Sequence, residues 1–166
     1  MEYNYGMLKR ALSLLASFAL VYLAASVGAS YTQSALSPWY DELQKAYLNP
    51  PSWVFAPVWA ALYAFMAIAA WKVWNKRAED ARARRALWLY LFQLALTAVW
   101  SWAFFGAQSP RLAFGILIVL FGSVLATLIL FRRIDRGAGN LLVPYAAWVA
   151  FAAYLNFSIV LLNPLR

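Results

Sequence analysis

Five long runs of the chain carry no acidic or basic residue: Ala11–Tyr40, Ala46–Trp71, Ala86–Pro110, Leu112–Phe131 and Gly137–Leu165. Each can hold the roughly 20 apolar residues that a helix needs to cross the hydrocarbon of a bilayer. The pattern predicts an all-α membrane protein, a bundle of five transmembrane helices forming one domain over 1–166. The spans are expected at about 8–30, 51–74, 86–105, 112–131 and 141–162. The first follows Lys9-Arg10 as a signal peptide would, but it is longer than a typical signal core and reads as a retained span. Its Ala24 and Gly28, four residues apart, suit close helix approach.

The connections differ in character. Residues 31–50 form the one long loop. Ser37-Pro38 suggests a turn there, Trp39–Leu43 a short interfacial helix, and Pro50-Pro51 an extended entry into span two. Pro57 falls near the start of that span, where a missing donor costs least. Lys76–Arg85 reads as a charged, solvated connection, and Gln108-Ser109-Pro110 as a tight turn.

Charge orients the bundle. Eleven of the fourteen basic residues gather on one side: Lys9, Arg10, Lys72, Lys76, Arg77, Arg82, Arg84, Arg85, Arg132, Arg133 and Arg136, against Lys45, Arg111 and Arg166 on the other. By the positive-inside rule the N-terminus is cytoplasmic and the C-terminus lies on the opposite face. The net charge of +8 is thereby explained by topology, without nucleic acid. Helical spans with this bias favour a bacterial plasma membrane over an outer membrane. The same bases suit anionic lipid headgroups.

Composition then removes chemistries. The chain has no His and no Cys, so disulfides, Cys/His zinc sites, His- or Cys-based nucleophilic catalysis and His or Cys ligation of haem iron are excluded, leaving only Tyr, or weakly Met, as a ligand for porphyrin iron. No metal site and no required cofactor are expected. The uncharged runs also lack the intramembrane charges of proton pumps and voltage sensors.

Aromatic residues make up 18% of the chain, too many for an interfacial belt alone. Trp71, Trp74, Trp88 and Tyr90 fit such a belt at the basic boundary. Deeper, three helical faces stand out: Trp59, Tyr63 and Met66; Gln93, Thr97 and Trp100; and Trp148, Ala152, Leu155 and Asn156. Two readings fit them. One is a pocket for a large, flat, apolar ligand, with aromatic walls and a few hydrogen-bonding groups. The other is ordinary helix packing, with Gln93 and Asn156 as interhelical glue.

The residues Trp39-Tyr40, Leu43, Lys45, Pro50-Pro51, Trp53, Phe55, Pro57-Val58-Trp59 and Leu62-Tyr63 resemble the signature of the translocator protein / tryptophan-rich sensory protein family, also called peripheral benzodiazepine receptors. The resemblance continues through Gln93-Leu94-Ala95, Trp100, Phe104-Phe105-Gly106, Leu141–Tyr145, Trp148, Phe151-Ala152 and Leu155-Asn156. It implies a five-helix membrane receptor or carrier that binds porphyrins and other hydrophobic ligands, with a regulatory or stress-sensing role, and that forms homodimers. Trp39 and Tyr40 would belong to a lid over the cavity, with Trp59, Tyr63, Gln93, Thr97, Trp100, Trp148 and Ala152 lining it. Metal-free porphyrin would be preferred. The resemblance leaves two alternatives open. One is a light-dependent porphyrin-degrading enzyme acting through Trp59 and Trp148. The other is a membrane scaffold, for which Gly115, Gly122 and Ala126 offer close-approach surfaces.

Three departures from the family pattern carry expectations. Thr97 stands where an Asn is common, replacing an amide with a shorter hydroxyl. Ser101 and Trp102 stand where prolines are common, which implies a straighter helix end. Phe157 and Leu161 occupy the places of a cholesterol-recognition motif, and the only later base is Arg166, so tight cholesterol binding is not expected.

Overall fold

The computed structural model describes residues 2–164, with side chains described for 6–32 and 38–164; Arg166 lies outside the described residues. The elements are α1 (Glu2–Ala35), α2 (Ser52–Asn75), α3 (Arg82–Ser101), α4 (Pro110–Ile134), α5 (Arg136–Leu141) and α6 (Val143–Leu162), all helical. Five helical stretches are long and apolar enough to cross a membrane, the fifth formed by α5 and α6 together. Helices are the natural solution, because each satisfies its own backbone donors and acceptors where lipid offers none.

The helices run several residues beyond the uncharged runs, and the boundaries have local causes. Arg82, Arg84 and Arg85 are not in the connection but in the first turns of α3. Asp80 makes this possible: its carboxylate accepts from the Arg82 amide at 2.8 Å and pairs with the Arg82 guanidinium, also at 2.8 Å. Anionic groups are favourable at a helix N-terminus, where the first amides lack partners. Span five is broken at Leu142. Pro144 has no amide to donate, and α5 ends with the Leu142 amide turning back to the Gly139 carbonyl. Pro57 falls in the second turn of α2, near the start of the span as expected.

Two stretches wind as π-helix. Leu36–Tyr40 continues α1, so Ser37-Pro38 does not break the chain into a separate interfacial helix. Trp102–Gly106 continues α3, and the Ala107 amide reaches the Trp102 carbonyl at 2.7 Å, five residues back. The straighter α-helical end expected without prolines is therefore replaced by a wider turn. Pro110 then opens α4, after Gln108 adopts a positive φ of 49° and the Ser109 hydroxyl accepts from Leu112.

In the bundle α3 packs on α4 and α1, α4 on α6, α1 on α2, and α2 on α5. Gly28 brings α1 close to α3; a Cβ there would meet Ser101 Oγ at 3.1 Å. The inner core is built on Met66, Tyr90, Leu117, Leu120, Phe131 and Tyr145. Tyr90, expected in the interfacial belt, instead points inward and stacks on Phe131 at 5.8 Å. Leu12, Leu15, Leu23, Ile118, Val119, Ile129 and Leu161 lie on the outside, as they should when the solvent is hydrocarbon. Gly115 and Gly122 have open space where a Cβ would point.

At the basic end, Asp135 fastens three helices. It caps α5 by accepting from the Ala138 amide at 2.8 Å. It also pairs with Lys72 of α2 at 3.5 Å and with Lys76, the residue that follows α2, at 3.0 Å. Burial pushes its carboxyl upward, but the Ala138 amide and the two ammonium groups outweigh that and hold it below the ordinary range. Nearby, Gly139 lies so close to α4 that a Cβ would collide with the Arg132 side chain and stand 2.7 Å from its backbone nitrogen.

Because the folded pKa of Asp135 is depressed, its stabilisation is present above the unfolded value of about 3.9 and is lost as pH falls through the folded one. In detergent the wild type should lose stability on acidification below about pH 4. Asp135→Ala should start about 1–2 kcal/mol less stable, in the range of a lost cap, and respond less to acid. Urea or thermal unfolding between pH 3 and 7 measures both; identical acid profiles would remove Asp135 from this role.

Candidate functional site

The three aromatic faces converge, and Tyr145 is where they meet. Its fully buried ring lies 6.4 Å from that of Trp59, and its hydroxyl is 2.9 Å from Thr97 Oγ1. Thr97 Oγ1 is also 3.1 Å from the Gln93 carbonyl. Since that carbonyl can only accept, the Thr97 proton goes to it, and the Tyr145 phenol donates to Thr97. The threonine proton is thus already committed within the protein.

Around this relay, Trp59 and Tyr63 lie with ring centroids 5.1 Å apart. Trp148 meets Phe55 at 5.9 Å and Phe151 at 5.7 Å. Trp59, Tyr63, Trp148 and Ala152 are all half-buried and border the inner core, which leaves parts of their surfaces open. Gln93 differs from Thr97 and Asn156, and shares its lack of a partner with the buried Tyr90 hydroxyl one turn earlier on α3. It is 1% exposed, and both Nε2 and Oε1 of its amide are buried with no hydrogen-bond partner in the protein. An unpaired buried amide typically costs about 1–3 kcal/mol, so this site holds an unused donor and an unused acceptor side by side.

Asn156 has the opposite character. Its Oδ1 accepts from Trp100 Nε1 at 3.2 Å and its Nδ2 donates to the Pro110 carbonyl at 2.8 Å. Both ends of the amide are spent joining α3, α4 and α6, which is interhelical glue. Of the two side-chain amides read from the sequence as glue, only Asn156 acts so.

The expected lid residues occupy a second cluster. Trp39 packs edge-on to Phe104 at 5.6 Å, and Tyr40 lies against Phe104 and Phe105 at 6.2 and 5.9 Å. Phe104 in turn stacks on Trp100 at 5.5 Å. Trp100 borders both clusters and so joins the lid to the deeper aromatic group. The π turn at Trp102–Gly106 positions Phe104 and Phe105 for this. Further along, Leu43 is buried, and Asn163 clamps the loop to the end of α6. The Gln44 amide donates to Asn163 Oδ1 at 3.1 Å, and Asn163 Nδ2 donates to the Gln44 carbonyl at 3.0 Å.

Tyr145, Phe104 and Asn163 were not among the expected lining residues. Tyr145 was within reach, because it sits one turn before Trp148 on the same helical face. The Asn163–Gln44 clamp joins residues 119 apart in sequence and leaves no local pattern. Among the described residues no cluster of His, Cys, Asp or Glu could hold a metal ion.

Residues 17–162 match the family model described as the TspO/MBR family. The chain is 37% identical to the "Tryptophan-rich protein TspO" of Chlorobaculum tepidum, covering 94% of this chain and 99% of that protein. It is 38% identical to the "Tryptophan-rich sensory protein" of Cereibacter sphaeroides, covering 87% and 90%. Human "Translocator protein" is 36% identical, over 82% of each chain.

Removing the clamp should loosen the lid while leaving the bundle intact. Asn163→Ala should speed hydrogen exchange at the Gln44 amide roughly fivefold or more, given about 1 kcal/mol for a neutral hydrogen bond, with amides of α4 unchanged. Unaltered exchange at Gln44 would mean the clamp contributes nothing to closure.

Proposed function

The chain belongs to the TspO/MBR family, and from that premise we propose that it is a membrane receptor or carrier for porphyrins and similar flat hydrophobic molecules. Relatives are named as sensory and translocator proteins, which supports a regulatory role at the membrane. What carries the reading is the Gln93 amide: buried, unpartnered, and on the same helical face as Thr97 and Trp100. A ligand with apolar faces and polar edges supplies what this group lacks. Trp59, Tyr63, Trp148 and Ala152 offer flat or small surfaces for the rings. Thr97, with its proton committed to the Gln93 carbonyl, acts mainly by holding Tyr145 in place. Trp39 and Tyr40 cover the site through the Phe104–Trp100 stack. No acid–base group is needed for binding of this kind.

Dark titration with protoporphyrin IX tests the reading, followed by tryptophan quenching and independently by the porphyrin absorption band. Saturable binding is expected. Trp59→Phe/Trp148→Phe should weaken it in the absorbance readout, which does not depend on the lost reporters. Gln93→Leu should move two quantities in opposite directions. It should stabilise the ligand-free protein, by removing an unpaired buried amide, and weaken porphyrin binding about fivefold or more, for one lost hydrogen bond. A folded wild type that does not saturate would overturn the porphyrin assignment. A scaffold would tolerate these substitutions without loss of its partner, and illumination after dark binding separates turnover from simple bleaching.

The gathering of eleven bases at one end of the bundle supports a cytoplasmic position for that end and puts the lid on the opposite face. Because the chain has no native cysteine, single substitutions report this directly. Tyr47→Cys, at a completely exposed position in the lid loop, should label with an impermeant maleimide in intact cells. Glu79→Cys should label only after permeabilisation; the reverse pattern would invert the topology.

A further inference from the structure

At the basic end, where α2 ends and α3 begins, the surface holds a groove of about 620 Å³ lined by Trp74, Arg77, Ala78, Arg84, Leu87, Trp88 and Leu91. We infer that this groove binds a membrane phospholipid of net negative charge, its phosphate between Arg77 and Arg84 and an acyl chain along Leu87, Trp88 and Leu91. This goes beyond the porphyrin reading and does not depend on it, since the groove lies at the opposite end of the bundle from the lid.

Charge complementarity is the main support. Asp80 is taken by Arg82, and Asp135 by Lys72 and Lys76. Arg77 and Arg84 have no carboxylate partner among the described residues. Arg77 is nonetheless held in place: its guanidinium lies 4.0 Å over the Trp74 ring and donates to the Trp74 carbonyl at 2.8 Å. A guanidinium with most of its donors unused, fixed at the rim of a groove, is suited to a phosphate.

The rest of the groove selects a lipid over a soluble anion. Beyond the two arginines its walls are apolar, and Trp88 is 67% exposed. That exposure would be costly in water, but a tryptophan at the headgroup level is favourable. The groove therefore runs from charged to apolar in the direction in which a phospholipid does. A second copy of the chain is a poor occupant, because its basic end would bring like charge against Arg77 and Arg84. A zwitterionic lipid offers the same phosphate, but its ammonium adds a positive charge beside two unpaired guanidinium groups.

Native mass spectrometry of the full chain, released from detergent, can count bound lipids. With chain-matched phosphatidylglycerol and phosphatidylcholine, the wild type should retain the former at least fivefold more. Arg77→Gln/Arg84→Gln should abolish that preference. Arg132→Gln/Arg136→Gln removes the same charge from the same end but outside the groove, and should keep it. Trp88→Ser leaves every charge in place and should still lower phosphatidylglycerol retention several-fold, which covers the case in which the arginine pair fails to fold. Equal retention of the two lipids by the wild type would overturn the inference. So would equal losses in the two arginine pairs, which would indicate bulk charge. Competition by soluble glycerol phosphate at the lipid's own concentration would also overturn it, by showing an anion site with no acyl component.

Discussion

Hydrocarbon accepts and donates no hydrogen bonds, and this constraint organises most of the polar groups in the bundle. The backbone meets it by helix formation. Polar side chains inside the spans meet it by turning inward and pairing: Tyr145 to Thr97 to the Gln93 carbonyl, and Trp100 to Asn156 to the Pro110 carbonyl. Even Ser123 and Thr127 return their hydroxyls to carbonyls of their own helix. Against that pattern two groups on α3 stand apart: the Tyr90 hydroxyl, whose ring belongs to the core, and the Gln93 amide, with both of its polar atoms buried and unpaired. Helix packing alone gives no reason to keep a glutamine there, since leucine would fill similar volume without a desolvation cost. Tyr90 is accounted for by its stacked ring in the core, whereas the Gln93 amide has no such packing role to explain it.

The aromatic residues serve three separate purposes, which their abundance conceals. Tyr90 and Tyr145 are core, buried among the helices. Trp74 and Trp88 are exposed at the basic end, at the level where an interfacial belt belongs. Trp59, Tyr63, Trp100 and Trp148 are half-buried, neither core nor belt. Partial burial within a bundle, rather than aromatic character, separates the lining group from the other two. Trp100 has the most connected position, with its indole nitrogen tied to Asn156, its ring stacked on Phe104, and contacts to both apolar clusters. Loss of that residue would disturb lid, packing and site together, so it is a poor probe of any one of them.

Much of this was legible from the chain, because the governing signals are local or periodic. The uncharged runs located all five spans, and helical spacing brought Trp59, Tyr63, Gln93, Thr97 and Trp148 onto faces that do converge. Misreadings followed where two variables share one signal. Tyr90 lies at the right depth for a belt, but depth along a helix says nothing of the direction around it. Arg82, Arg84 and Arg85 looked like a solvated connection because charge alone does not reveal that Asp80 starts a helix there. The π turns at Leu36–Tyr40 and Trp102–Gly106 have no composition that distinguishes them from α-helix. The Asn163–Gln44 clamp is wholly tertiary and has no trace in either local segment.

The two ends of the bundle are built from different forces, and this division suits the receptor role proposed above, in which a ligand would enter at one end only. At the basic end, Asp135 joins α2, α4 and α5 through ion pairs and a helix cap, and Gly139 lets α5 approach α4 too closely for any side chain. Such contacts are specific in geometry and resist displacement. At the other end, Trp39 and Tyr40 rest on Phe104 and Phe105 through ring contacts, and the clamp is a pair of neutral hydrogen bonds. Apolar ring contacts have shallow angular preferences, so rings can slide or re-stack at small cost while water and lipid stay excluded. The Trp102–Gly106 π turn adds to this, because wider winding makes poorer backbone packing than an α-helix and is often found at functional positions. Opening the lid therefore requires breaking a few weak contacts around Trp100, whereas opening the basic end would require separating charges from partners chosen for them. On the proposed receptor reading, that difference in the contacts themselves is the reason to expect access from the lid end.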